Sequence, residues 1–249
     1  MSFLEVRNLT KRFGSLIAVN DISMTVEPGE LRAVIGPNGA GKTTFFNMIS
    51  GFFPPTTGEI VLAGENVTQL SVADRVARGM ARTFQITEIF PEITVRENVR
   101  IAVEVAEGLS LKLWCGAHER ARVERTVDGI LAESDLLAEA PRLVGELSHG
   151  DQRAAEIAMA LALKPRLLLL DEPTAGMGEQ ETRQVAGLIR RLHRDSKYTI
   201  VLIEHDMRVV FNLADRISVL DQGRLLADGT PEEIAADPHV QAAYLGTAE

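Results

Sequence analysis

The 249-residue sequence contains little cysteine and no long apolar run, and each absence excludes a class of protein. The single cysteine, Cys115, has no partner for a disulfide within the chain, which suits a reducing compartment. No apolar run approaches the roughly 18 residues that span a bilayer. The N-terminal stretch MSFLEVRNLTKRF also lacks the apolar core of a signal peptide. We therefore expect any association with a membrane to depend on a partner.

An excess of positive charge is also absent. Acidic residues outnumber basic ones by 35 to 26, and the formal net charge is −9. This balance argues against a protein whose main task is binding the backbone of nucleic acid, so we expect no nucleic-acid partner. Apolar residues make up 45% and charged residues 24% of the chain, which is typical of a globular protein with a sizeable core.

The strand patterns are of two kinds. Alternating apolar and polar residues at 3–7 and 16–26, and the strand pair with a glycine turn in GEIVLAGENV, predict an antiparallel β layer. RLLLLDEP and YTIVLIEHD are continuously apolar runs, which predict strands buried on both faces of a parallel sheet. The short, β-branched LRAVIG and the stretch RISVLDQGRLLADG are further strand signals.

Between about 71 and 165 the pattern becomes helical, with apolar residues three and four apart and no strand expected. We predict an α/β fold with a parallel-sheet core, an antiparallel β subdomain and an inserted α-helical subdomain. The core and β subdomain occupy about 1–84 and 166–249, and the helical subdomain about 85–165, within one domain of residues 1–249.

The stretch GPNGAGKTT matches the P-loop pattern G-x-x-x-x-G-K-[ST]. A predicted strand precedes it and a predicted helix follows, as a P-loop requires. Its glycines allow consecutive backbone N–H groups to turn around phosphate oxygens. Lys42 would contact the outer phosphates, and the Thr43 hydroxyl would bind Mg²⁺. The motif predicts a P-loop NTPase core.

Two later strands end in polar side chains. Asp171 ends LLLLD and would hold the Mg²⁺ shell, while the adjacent Glu172 can orient or deprotonate an attacking water. His205 follows the next strand, where it could bind the terminal phosphate and that water. Because ligands bind at the carboxyl ends of parallel strands, these groups are expected at one edge of the sheet.

The stretch ELSHGDQ has the pattern of a helix start. Ser148 can cap the helix, and Asp151 three residues later completes a capping box. The free N–H groups of a helix start also favour an anion, so Ser148 is either only a cap or a cap that faces a phosphate. Gln85 is a further amide that could contact Mg²⁺ or water, although its sequence context alone does not select it.

Together these motifs resemble those of the ATP-binding subunits of ABC transporters, over essentially the whole chain. The resemblance implies the ABC ATPase fold, with ATP and Mg²⁺ as cofactors. It implies Glu172, His205 and Gln85 as catalytic residues and Thr43, Gln85 and Asp171 as metal ligands. It implies that Phe13 stacks on adenine. It also implies nucleotide contacts from the P-loop, which is the family's Walker A motif, and from its signature motif, which is LSHGDQ here. These residues are Gly36, Pro37, Asn38, Gly39, Ala40, Gly41, Lys42, Thr43, Thr44, Ser148 and Gly150.

Within that family the chain looks like the subgroup that serves importers of branched-chain and other hydrophobic amino acids. The stretches that carry this narrower resemblance are RTFQITEIFPEITVRENV, SHGDQR, DEPTAGM, IEHDM and AAYLG. The resemblance implies a peripheral subunit at the cytoplasmic face of the cell's inner membrane. Its partners would be transmembrane permease subunits, a second ATP-binding subunit (a second copy or a sister cassette) and, indirectly, a solute-binding protein.

The resemblance also implies a mechanism in which two subunits enclose two ATP molecules head to tail. The P-loop of one chain and the Ser148 helix start of the other then close on each nucleotide. The loop after Gln85 would dock on the permease, with Ile86, Ile89, Phe90 and Ile93 as candidate contacts or as ordinary core residues.

Three positions depart from the family pattern. His149 replaces a glycine, Asp151 replaces a glutamine, and Gly178 replaces the aspartate expected after DEPTxxx.

Two other functions compete with that of an importer ATPase. One alternative is an ABC ATPase without a transport role, but such proteins usually add a long coiled coil or a second cassette. The other is a P-loop small-molecule kinase or GTPase, against which the signature motif and Glu172 argue.

Overall fold

The computed structural model describes residues 2–83, 89–109 and 116–245. Within these ranges the chain forms strands β1 to β10 and helices α1 to α9. The strands are β1 (Leu4–Phe13), β2 (Leu16–Val26), β3 (Leu31–Ile35), β4 (Thr57–Leu62), β5 (Glu65–Asn66), β6 (Met80–Thr83), β7 (Leu167–Asp171), β8 (Thr199–Ile203), β9 (Arg216–Asp221) and β10 (Arg224–Gly229).

The helices lie between and after these strands. They are α1 (Lys42–Ser50), α2 (Val72–Val76), α3 (Val95–Ala106), α4 (Ala117–Glu133), α5 (His149–Ala162), α6 (Glu179–Arg194), α7 (Met207–Leu213), α8 (Pro231–Ala236) and α9 (Pro238–Leu245). None of the helices in the described ranges is both long and apolar enough to cross a bilayer.

The strands form two sheets, as the two kinds of strand pattern predict. One is antiparallel, in the order β2-β1-β4-β5. The other has the order β10-β9-β3-β8-β7-β6, in which only β10 runs antiparallel to its neighbour. Strands β3, β7 and β8 are buried along their whole length, as continuous apolar runs require. Apolar cores lie on both faces of this second sheet.

The expectation of helix throughout 71–165 was wrong in its first part. Helix α2 covers only Val72–Val76, and Met80–Thr83 forms β6, which pairs in parallel with β7. The segment is too short for its own periodicity to reveal a strand, and the neighbouring β7 supplies the hydrogen bonds that make it one. Helices α3, α4 and α5 follow β6 in the described part of the chain.

The predicted N-cap at Ser148 is present, but the predicted capping box is incomplete, because the Asp151 carboxylate accepts from the Ser148 hydroxyl and not from its backbone N–H. Ser148 is the N-cap of α5, and its hydroxyl accepts a hydrogen bond from the Asp151 backbone N–H at 3.2 Å. Thr230 caps α8 in a reciprocal capping box with Glu233.

Arg75, a buried arginine of α2, binds both the end of α1 and the loop that precedes α2. The Arg75 side chain is 1% exposed and donates to the carbonyl oxygens of Met48 (2.6 Å), Ile49 and Thr68 (2.9 Å). Met48 and Ile49 lie in the last turn of α1, where carbonyls lack helical partners and a cation is favourable. Burial lowers the pKa of Arg75 to about 10. The guanidinium therefore replaces the missing hydrogen bonds at the C-terminal end of the P-loop helix.

We expect Arg75→Met to lower the free energy of unfolding by about 3 kcal/mol, because it leaves buried carbonyls without donors. The measurement is urea denaturation. Arg78→Met is the control, since Arg78 is a more exposed arginine of the same segment, paired with Glu65 on the surface, and should cost less than about 1 kcal/mol. Equal stability of the two variants would contradict this role for Arg75.

Candidate functional site

Three neighbouring parallel strands bring the described site residues to one edge of the second sheet. The P-loop follows β3, His205 follows β8, and Asp171 ends β7, in the spatial order β3-β8-β7-β6. Gln85 follows β6 in sequence but lies outside the described residues. The P-loop, Asp171 and His205 therefore lie at one edge of the sheet, as the carboxyl-end rule for parallel sheets predicts.

The P-loop needs glycine at both ends because the backbone passes close to other main-chain atoms. A Cβ on Gly36 would lie 2.1 Å from the Leu220 carbonyl oxygen, and one on Gly41 would lie 2.4 Å from that of Ala18. Gly41 also has φ +95°, in the left-handed region that favours glycine. Gly41 is the N-cap of α1 and offers no side chain, so the first N–H groups of the helix remain available for phosphate oxygens.

Lys42 lies folded over its own loop. Its Nζ donates to the carbonyl oxygens of Gly36 (2.7 Å) and Pro37 (3.0 Å), and the side chain is buried. Burial lowers the pKa of Lys42, and the nearby charges of Glu172 and Asp171 oppose that shift. The ammonium group is thus held against its own loop, near enough to the two carboxylates to be affected by their charge.

A C-terminal side chain also contacts the start of the P-loop. Tyr244, on α9, makes a hydrogen bond with the Gly36 backbone, and burial raises the pKa of its phenol to about 12. Sequence analysis did not select Tyr244 as a site residue, because nothing in a linear pattern indicates that the last helix returns to the first motif.

Asp171 is buried, and its two oxygens have different surroundings. Oδ2 accepts a hydrogen bond from Arg82 at 2.8 Å, and that guanidinium also donates to Asn47 and Ser50 of α1. Oδ1 has no hydrogen-bond partner among the described residues. A buried carboxylate oxygen without a donor is costly unless a cation binds it.

This arrangement fits Mg²⁺, which prefers carboxylate and hydroxyl oxygens. Asp171 Oδ1 is the buried donor oxygen, and Thr43 is exposed in the first turn of α1. Sequence analysis missed Arg82. An arginine within a buried strand would have indicated a carboxylate partner, but the segment had been assigned to a helix.

Glu172 and His205 meet across the sheet edge. His205 Nε2 lies 2.8 Å from Glu172 Oε1, and the imidazole is partly exposed. Glu172 has φ +46°, a conformation that non-glycine residues adopt rarely, and its N–H donates to the Ile203 carbonyl at 2.9 Å. Such strain persists only where neighbours enforce it, and it is concentrated at functional sites.

One of those neighbours is Arg153 on α5, which sequence analysis also missed. Its guanidinium donates to the carbonyl oxygens of Asp171 (3.1 Å), Glu172 (2.8 Å) and Pro173 (3.1 Å), and pairs with Glu156. The backbone around Glu172 is therefore bound to the helix that begins at Ser148.

Phe13 is exposed at the tip of the β1-β2 hairpin, where it pairs with Leu16. Its ring packs edge to face with Phe53, with centroids 5.6 Å apart, and Lys11 Nζ lies 5.3 Å from its centroid. The adjoining strand contacts the P-loop at Ala18, as the short distance to Gly41 indicates. The hairpin thus presents an aromatic ring beside the P-loop.

Ser148 is exposed at the start of α5, and no hydrogen bond joins it to the P-loop within the described chain. Its hydroxyl donates to Asp151 Oδ2 at 2.7 Å, while Gln184 donates to Asp151 Oδ1 at 2.6 Å. The Asp151 carboxylate is therefore turned back toward its own helix and α6. Gly150 is buried, and a Cβ there would lie 3.3 Å from Glu181 and Gln184 of α6.

Two family models match parts of the sequence. The family described as ABC transporter matches residues 19–175. A second family, described as branched-chain amino acid ATP-binding cassette transporter, matches residues 224–249.

Similar proteins match over nearly their full length. The chain is 43% identical to the high-affinity branched-chain amino acid transport ATP-binding protein BraF of Pseudomonas aeruginosa, with 98% of each chain covered. It is 41% identical to LivG of Escherichia coli, which carries the same description, again over 98% of each. A solved ATP-binding cassette of an ABC transporter in its ADP conformation is 29% identical, with a TM-score of 0.86 and 99% of each chain covered. The chain belongs to the ABC transporter family, as one of its ATP-binding subunits.

Proposed function

We propose that this chain hydrolyses ATP to energise an importer of branched-chain or other hydrophobic amino acids, or of related small solutes. The observation that carries the proposal is the Glu172–His205 pair beside a P-loop, at the edge of the sheet that also bears Asp171. The solute class is supported by the names of BraF and LivG and by the match of residues 224–249.

In this proposal the phosphates accept hydrogen bonds from the P-loop N–H groups. Lys42 then donates to phosphate oxygens instead of to the carbonyl oxygens of Gly36 and Pro37. Glu172 accepts a proton from the attacking water. His205 holds the terminal phosphate, with its Nε2 already 2.8 Å from Glu172. Gln85 would orient the same water, and Phe13 would stack on the adenine.

Thr43, Gln85 and Asp171 would hold Mg²⁺, with Asp171 contributing the buried Oδ1 that has no donor in the described chain. The ion, when bound, neutralises charge on the phosphate oxygens during transfer. The Arg82 guanidinium donates to Oδ2 of this carboxylate, so Oδ1 keeps its lone pairs for a cation.

A second ATP-binding subunit would complete each site. Ser148 is exposed and has no hydrogen bond to its own P-loop, so its helix start is suited to a nucleotide held by another chain. Both the P-loop and the catalytic pair are present here, which is compatible with a homodimer or with a sister cassette. ATP binding would close the pair, and hydrolysis would reopen it.

The permease subunits would bind an apolar groove between the sheet core and helices α2, α3 and α5. Its volume is about 350 Å³, and its lining includes Phe52, Ile89, Ile101 and Val105. Phe52 is 66%, Val105 54% and Ile101 37% exposed, and all three line the same groove, so they form an apolar patch of the kind that a partner covers. Of the residues expected at a dock, Ile89 lines the groove and Phe90 is exposed, whereas Ile86 lies outside the described residues.

Through these subunits the chain would work as a peripheral protein at the cytoplasmic face of the inner membrane. A solute-binding protein would act indirectly by delivering solute to the permease. Nucleic acid is not expected as a partner, in keeping with the net charge of −9.

We expect Val105→Glu to abolish leucine uptake and co-purification with membrane subunits, while the ATPase activity of the isolated chain stays unchanged. The reason is that a carboxylate placed in the groove must be desolvated when the permease binds. The assay uses cells in which the chain is supplied from a plasmid after deletion of the chromosomal copy. Leu137→Glu is the control, because Leu137 is 52% exposed but does not line the groove.

The two parts of the proposal fail separately in this experiment. If the unaltered chain restores no leucine, isoleucine or valine uptake, the proposal of branched-chain amino acids as solutes is wrong. If it restores uptake and Val105→Glu does so equally well, the groove is not the docking site.

A further inference from the structure

A buried carboxylate joins the two loops that carry the catalytic pair. Glu204 lies between the last residue of β8 and His205, and its side chain is 3% exposed. Its Oε1 accepts hydrogen bonds from the backbone N–H of Thr174 at 3.1 Å and from the Thr174 hydroxyl. Thr174 lies two residues after Glu172, so this contact crosses from one loop to the other.

The other carboxylate oxygen binds the loop of His205. Glu204 Oε2 accepts from the backbone N–H of His205 at 2.6 Å and from that of Asp206 at 3.3 Å. No basic side chain forms an ion pair with Glu204 in the described part of the chain. Neutral donors alone therefore hold this anion, and all of them belong to the two loops.

Only a carboxylate satisfies this set of partners. Four donors converge on two oxygens, and both oxygens must accept. A glutamine would place an NH₂ group against donors of one loop or the other, so one end of the bridge would be lost. The loss would fall at Thr174 or at His205, and in either case the two loops would no longer be held at one separation.

We propose that Glu204 is a positioning residue that sets the distance between Glu172 and His205, and through it the alignment of the attacking water. The inference rests on the proposed function, in which that pair performs the hydrolysis. The backbone at Glu172 has a strained conformation that neighbouring groups must hold in place, and Arg153 binds this loop from the side of α5. Glu204 binds the same loop from the end of β8, at Thr174.

The test is steady-state hydrolysis by Glu204→Gln. We expect kcat to fall about 10- to 100-fold because the reacting groups are displaced, while KM for ATP and binding of a fluorescent ATP analogue stay unchanged. Thr174→Val removes one donor of the same bridge and should have a smaller effect. The double variant should lose less than the product of the two single losses, because both remove one network.

Glu30→Gln is the matched control for loss of a buried carboxylate. Glu30 is 8% exposed, forms an ion pair with Arg32 and lies directly before β3, at the end of the sheet opposite to the P-loop. The kcat of Glu30→Gln should therefore equal that of the unaltered chain. Thermal unfolding of each variant shows whether it is folded at the assay temperature.

The Glu172→Gln background separates this proposal from the proposed function. There, adding Glu204→Gln should leave the residual rate unchanged, because the group it positions is already inactive. Wild-type kcat in Glu204→Gln, or a further multiplicative loss in the Glu172→Gln background, would overturn the role of Glu204. Substantial hydrolysis by Glu172→Gln alone would instead overturn the assignment of the catalytic base.

Discussion

Glu172→Gln is expected to bind ATP as the unaltered chain does but to hydrolyse it about 10²- to 10⁴-fold more slowly. Glutamine has the same shape and can still form a hydrogen bond with His205, so the site should keep its geometry. It cannot accept a proton from water, however. Because hydrolysis reopens the closed pair of subunits, this variant should also accumulate as a dimer in ATP. Phosphate release and size-exclusion chromatography measure the two effects.

Glu179→Gln is the control for this change. Glu179 is an exposed carboxylate at the start of α6, a few residues along the same connection, and its replacement should leave hydrolysis unchanged. Hydrolysis by Glu172→Gln near the wild-type rate would show that another group activates the water. A slow variant that fails to dimerise in ATP would separate the chemistry from closure of the dimer.

The shared position of Asp171, His205 and the P-loop could be predicted from the sequence because strand ends are local features. Asp171 and His205 each lie at the end of a continuously apolar run, and such runs form parallel strands whose ends share one edge. The P-loop could be found from the spacing of its residues alone. The close main-chain contacts that require Gly36 and Gly41 are tertiary, however, because they involve Leu220 and Ala18.

The groups that support the site could not be found in this way. Arg82 contacts Asp171 across 89 positions of sequence, and Glu204 contacts Thr174 across 30. Neither pair has a spacing rule, because tertiary packing alone brings the partners together. Arg82 also lies in β6, where the sequence predicts a helical region. An arginine in such a region is usually a surface residue, so nothing indicated a buried partner.

The departures at the start of α5 have a partial explanation in the structure. Asp151 in place of glutamine would repel a phosphate, but Ser148 and Gln184 each donate a hydrogen bond to one of its oxygens and so offset part of its negative charge. Gly178 in place of aspartate is the N-cap of α6, where its N–H is bound by Glu181. Nothing in the structure explains His149, which is exposed.

Ser148→Arg is expected to leave ATP binding by the single subunit intact but to prevent ATP-driven dimerisation. Its own P-loop does not contact Ser148 in the described chain, so the nucleotide should bind as before. A long side chain at the helix start would occupy the space that a phosphate of the other subunit needs. The measurement is sedimentation in ATP, in the Glu172→Gln background that should otherwise accumulate as a dimer.

Ser71→Arg is the control that separates this effect from the loss of a helix cap. Ser71 caps α2 with the same pattern, accepting from the Asp74 N–H at 3.2 Å and donating to its carboxylate at 2.6 Å. Both variants should lose about 1 kcal/mol of stability, but only Ser148→Arg should remain monomeric in ATP. If both dimerise, Ser148 has no role across the interface. If neither dimerises, loss of the cap is the cause, and the helix start at Ser148 is only structural.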